Sequence, residues 1–231
     1  MADASVPEDG SAVSRADRAL FVLERALAAG AGLLILIVML VSVANILGRK
    51  FKDWALDGGY DGLAAWLGPV PGYVDWMEQV VPLIAFLGIA YCQRLGGHIR
   101  MDIVVGQLSG RALYIAEVLG VLLLLAITLT LIWGSWLHFD RSFDWNAPMW
   151  SRDSTVDLSL PTWPVKLAVP IMLVLFALRL LVQLWAYGRA IRRGDQIAVA
   201  VPRIESAAEQ AEHEAKTVSG FDDTPSEERR T

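Results

Sequence analysis

The chain has 231 residues, 55% of them hydrophobic, and a mean hydropathy of +0.43. Those values exclude an ordinary soluble domain and point to an integral membrane protein. Much of the formal net charge of −5 comes from an acidic C-terminal tail, no basic face suits nucleic acid, and the single cysteine, Cys92, excludes an internal disulfide or a cysteine metal cluster.

Residues 1–19 are polar, rich in Ala, Ser and Asp, and are expected to be disordered. Arg15, Arg18 and Arg25 precede an apolar run from Ala26 to Gly48. That run is longer than the roughly 7–15 residues of a signal-peptide core, so it is expected to remain as a first span over 26–48. Within it Ser42, Asn45 and Arg49 stand three and seven residues apart and share one helical face. Asn45 can hydrogen-bond to a neighbouring helix or point at the headgroups. Ahead of the second span, Gly59–Gly72 carries Trp66, Leu67, Pro69 and Pro71, as expected of short amphipathic pieces lying on the membrane surface.

Between Glu78 and Arg94 runs the uncharged stretch QVVPLIAFLGIAYCQ. A crossing needs roughly 20 residues for about 30 Å of hydrocarbon, so this helix must start near Asp75, giving a second span over 75–94. Glu78 then lies at the edge of the lipid, where a carboxylate is costly unless it faces protein or water. Glu78, Ala85 and Cys92 recur every seven residues with Gly88 close by, a stripe of small side chains that lets another backbone approach. The expectation is a helix-packing face, with Arg49 a candidate partner for Glu78. Cys92 reads as a small packing residue, because an apolar setting disfavours a thiolate.

Spans three and four are expected over 112–137 and 165–187. Glu117 and Arg179 sit several residues inside the same boundary and are candidates for a neutralising pair, against the simpler reading that Arg179 snorkels to water. Residues 194–231, with Glu205, Glu209, Glu212 and Glu214, read as a solvated acidic tail. The expected fold is therefore an all-α integral membrane protein, a four-helix domain over 20–193 between polar termini. Positive charge near the spans puts both termini in the cytoplasm, and eight of nine tryptophans then fall on the outer side, where indoles favour the headgroup zone. The outer loops carry Asp53, Asp57, Asp61, Asp140, Asp144, Asp153 and Asp157, which could steer a soluble partner by long-range charge.

Three stretches carry a family resemblance: VANILGRKF at the end of the first span, WMEQVVPLIAFLGIAYCQRLGGHIRMDIVV through the second, and LSLPTWPVKLAVPIMLVLFALR at the fourth. Together they resemble the small membrane subunit, or Q component, of tripartite ATP-independent periplasmic (TRAP) transporters over roughly residues 20–190. Arg49, Glu78, the Gly97-His98 turn with Asp102, and Leu160-Pro161 with Pro170 carry most of the likeness. The long Trp- and Gly-rich first outer loop and the acidic tail depart from it. The resemblance implies a bacterial inner-membrane complex in which a periplasmic solute-binding protein captures an organic acid or similar solute. A large membrane subunit holds the substrate and sodium sites, and the small subunit scaffolds it and helps dock the binding protein. His98 would fix the cytoplasmic turn or contact the partner, against the plainer reading of an exposed loop histidine.

The alternative of another class is a four-helix redox subunit binding haem or quinone. Haem ligation within a bundle needs facing histidines, whereas His98, His138 and His213 fall in a turn, at an outer helix end and in the tail. A stand-alone carrier would need a polar pathway or paired broken helices, which the pattern lacks. No catalytic, metal or phosphate-binding constellation stands out, and no cofactor is expected.

Overall fold

A computed structural model describes residues 11–64, 66–95 and 111–193. His98, Asp102 and the acidic tail lie outside the described residues. Helix α1 runs Ala12–Asp57, α2 Asp61–Ala64, α3 Tyr73–Leu87, α4 Ile89–Arg94, α5 Arg111–Ser142 and α6 Trp163–Arg193, with a 3-10 turn at Pro148–Trp150. Among the described residues there is no strand, only the isolated bridges Phe143 with Ser151 and Ser154 with Pro161. Four helices are long and apolar enough to cross a membrane: Ala12–Asp57, Tyr73–Arg94, Ile115–Ser142 and Trp163–Arg193. The all-α, four-span architecture is thus as the sequence implies, and the loops before α3 and α6 hold one four-residue helix and one 3-10 turn.

Helix α1 differs most from expectation. It starts at Ala12, inside the stretch expected to be disordered, and its first turn is capped by Ser11, whose Oγ accepts from the Ser14 N–H at 3.4 Å. Val13, Ser14, Asp17, Glu24 and Ala31 are buried at spacings of three, four and seven, so one face of this extension packs inward. At its other end α1 runs past Gly48 through Arg49, Lys50 and Lys52 until the Gly58 N–H closes on the carbonyls of Trp54 and Leu56.

Helix α6 is the hub. Leu173, Phe176, Ala177, Leu180, Gln183, Tyr187 and Ala190 are buried along it at helical spacing. Leu180 and Tyr187 gather with Val13, Ala90 and Val121 in one apolar cluster that joins all four spanning helices. Between lipid-soluble helices such contacts hold by close fit rather than by release of water. The same cluster holds Val13 and Ala190, so the start of α1 and the end of α6 share one end of the bundle.

Candidate functional site: polar locks at the two ends of the bundle

At the terminal end, Asp17 is the centre of a buried ionic cluster. Its carboxylate meets Arg94 at 2.9 Å and also takes a charge-assisted bond from Arg179; the three side chains are 0–1% exposed. Arg94 donates a second time to the Asp17 backbone carbonyl at 3.3 Å, and its guanidinium lies 4.0 Å from the centre of the Phe21 ring. One turn of helix brings Asp17 and Phe21 to the same face, so α1 supplies both the anion and the aromatic lid. Glu24, seven residues on, is fully buried with no donor on either oxygen. Two carboxylates and two guanidiniums thus balance formally in a place from which water is excluded.

A chain of hydrogen bonds extends the cluster. Gln93 donates to Gln183 at 2.9 Å, and the Tyr187 hydroxyl donates to Glu117 at 3.1 Å. These bonds tie α4, α5 and α6 together beside the ionic centre. Arg179 therefore does not snorkel, being fully buried, and Asp17 is one anion that it meets. Asp17, Glu24, Gln93, Gln183 and Tyr187 were missed in the sequence. The available signal was the seven-residue spacing of two acidic residues on an otherwise apolar stripe.

At the loop end, Asn45 is 4% exposed and its Oδ1 accepts the Val70 N–H at 3.0 Å. Neither sequence reading of Asn45 holds: it grips this chain's own first loop. Ser42 hydrogen-bonds to the Tyr73 hydroxyl at 2.9 Å, one turn earlier on the same face. Gly48 completes the seat, since a Cβ there would lie 2.1 Å from the Gly68 carbonyl oxygen. Arg49, the third residue of that face, stays exposed and forms no ion pair with Glu78, which is exposed too. The suggested Arg49–Glu78 bridge is absent because the loop occupies the approach along α1 that Asn45 and Gly48 create.

The second loop is fastened to the start of α3. Asp75 is buried and accepts from the backbone of Leu158 at 2.6 Å and Asp157 at 3.1 Å, while Gly72, at φ +61°, leaves room for the Leu158 side chain. Lys166 bonds Asp153 at 2.8 Å, and Ser142 donates to the same carboxylate at 2.6 Å. The bond from Lys166, then that from Ser142, holds the Asp153 carboxyl below the ordinary aspartate range. Asp144 is lowered likewise, first by the Asn146 backbone N–H and then by Arg152 at 3.0 Å. Asp144 and Asp153 are thus engaged within the chain, whereas Asp53, Asp57, Asp61, Asp140 and Asp157 stay exposed.

On α3 and α4, Glu78, Ala85 and Cys92 are all exposed, and a Cβ at Gly88 would meet nothing within 4 Å. Among the described residues, no helix covers that stripe. Helix α1 is similarly bare: Leu33, Leu36, Met39, Leu40, Val43 and Ile46 are each about half exposed or more. The most apolar part of α1 is 6% buried, against 39% for α6.

No curated protein and no solved structure matches the chain. Residues 38–189 match the family described as tripartite ATP-independent periplasmic transporters, DctQ component, a family of transporter components rather than enzymes. That match spans the loop-end seat at Asn45 and Gly48, the Glu78–Cys92 stripe, Arg94 and Arg179, and it leaves Asp17 and Glu24 before it. The chain belongs to the DctQ family and is a multi-pass membrane subunit of a TRAP transporter.

Proposed function

We propose that this chain is the scaffold subunit of a sodium-coupled TRAP transporter in a bacterial inner membrane, with both termini cytoplasmic. It packs against the large membrane subunit and helps dock a periplasmic solute-binding protein that delivers an organic acid or similar solute. The observation that carries this reading is the uncovered stripe Glu78–Ala85–Cys92 with Gly88 open beside it. A helix facing only lipid has no use for a carboxylate beside small residues, whereas a helix facing another protein uses both. The buried polar groups support the same role: they join this chain's own helices to one another.

Copurification and reconstitution test it. A tag on this chain is expected to retain the large subunit through detergent extraction. Liposomes holding both subunits, with the binding protein added, are expected to accumulate solute on a sodium gradient, while this chain alone moves none. Transport by the purified chain alone would overturn the proposal. Docking is expected to weaken with salt and with neutralisation of Asp53, Asp57, Asp61, Asp140 and Asp157.

A further inference from the structure

The loop between α5 and α6 keeps apolar side chains in the open at the expense of its backbone. Met149 and Trp150 stand at φ 52° and 57°, a left-handed conformation that bulky residues rarely adopt. Three bonds enforce it. The Trp163 indole N–H donates to the Met149 carbonyl at 3.0 Å, Asp144 N–H to the Trp150 carbonyl at 3.1 Å, and Trp150 N–H to the Ala147 carbonyl at 3.0 Å. Nevertheless Trp145 is 74% exposed, Met149 64% and Trp150 51%. A loop that only connected two helices would turn such residues inward or replace them.

The apex also lies low. The Trp150 ring is 6.3 Å from that of Trp163, at the first residue of α6, and 6.0 Å from that of Trp145. Trp145 is in turn 4.9 Å from Phe143, which stacks on Phe139, itself 5.4 Å from the tilted ring of Trp136 within α5. An unbroken line of aromatic rings thus leads from the exposed side of a spanning helix to the apex. The Trp150 ring is thus held beside the first residue of α6, at the end of a candidate span.

We propose that Trp145, Met149 and Trp150 form a membrane anchor that seats in the glycerophospholipid headgroup zone of the leaflet at the loop end of the bundle. The amphipathic indoles suit that zone, with the ring against acyl carbon and the N–H toward phosphate or ester oxygen. The Trp145 and Trp150 rings, 6.0 Å apart, enter together, with Met149 adjacent in the strained turn. The inference stands apart from the identity of the partner subunits.

An environment-sensitive fluorophore at position 149, in the full chain carrying Met149→Cys and Cys92→Ser, tests it in the assembled transporter in lipid nanodiscs. Phospholipid bearing a headgroup nitroxide is expected to remove most of the emission, and aqueous iodide to remove little. The same pattern is expected from Trp145→Cys, which does not touch the strained residues. Quenching by iodide but not by lipid nitroxide would overturn the anchor in favour of water or a soluble partner. Quenching by neither would overturn it in favour of burial against another subunit.

Discussion

Asp17 joins three helices through a single buried carboxylate. It is the carboxylate for two buried guanidiniums contributed by helices distant in sequence. Removing one partner of a buried ionic group leaves charge without compensation, typically at a cost of about 3–5 kcal/mol. Asp17→Ala is therefore expected to lower the unfolding temperature of the purified chain strongly, while Arg15→Ala and Arg25→Ala, exposed on the same helix, do not. Equal effects from all three would show that the extension matters only for its helix. Asp153 makes a second test, with pH as the variable. Its folded pKa lies below its unfolded value, so its contribution is complete above the ordinary aspartate pKa of about 4 and fades as pH falls through the lower folded value. Near-ultraviolet circular dichroism of the Phe143–Trp163 aromatic cluster is expected to hold steady at pH 5 and to change only in stronger acid. Asp153→Asn should remove that acid step; a wild-type transition near neutrality would exclude this carboxylate as its source.

Among the elements, the four spans were legible because an apolar run of the right length has few other uses, and the residues of the Glu78–Cys92 periodicity are all exposed along α3 and α4. The first loop was read as surface-lying from its Trp and Pro content, but its attachment through Asn45 and Gly48 was not. A hydrogen bond from a side chain at position 45 to a backbone at position 70 leaves no periodic trace. The inward turn of residues 12–24 was hidden for a different reason. Alanines, serines and aspartates look like a solvated tail until a partner supplies arginines, and Arg94 and Arg179 lie 77 and 162 residues further on. Pairing Arg179 with Glu117 rested on depth alone, and the extension of α1 brings a further anion, Asp17, to Arg179. The loop seat gives an element-scale test. Gly48→Ala places a methyl against a backbone oxygen that cannot retreat without moving the loop, and Asn45→Ala strands the Val70 N–H; each is expected to cost about 1–3 kcal/mol. Limited proteolysis between Gly58 and Gly72 should accelerate in both, whereas Gly88→Ala, which meets open space, should cleave as wild type.

For the molecule as a whole, the uneven covering of its helices decides what kind of part it is. Helix α1 has 46 residues, about 69 Å at 1.5 Å per residue, against roughly 30 Å of hydrocarbon, so it projects beyond the lipid or tilts within it. Its extension is fixed by Asp17 at one end and its far part by Asn45 at the other, yet the apolar stretch between them gives little cover to its own chain. A self-sufficient four-helix bundle buries all four helices comparably; this one has a hub in α6 and open faces on α1 and α3–α4. Lipid can cover the α1 leucines without difficulty, but it is a poor partner for Glu78, so the α3–α4 stripe is the face that calls for protein. Cys92 lies on that stripe, is exposed and is the chain's single cysteine, which allows a crosslinker to be placed without engineering the sequence. A thiol-anchored benzophenone on native Cys92 is expected to join the large membrane subunit on illumination in native membranes, and the adduct should vanish in Cys92→Ser. An adduct with phospholipid only, in membranes where the large subunit still copurifies, would move the interface off this stripe and onto α1 or α5.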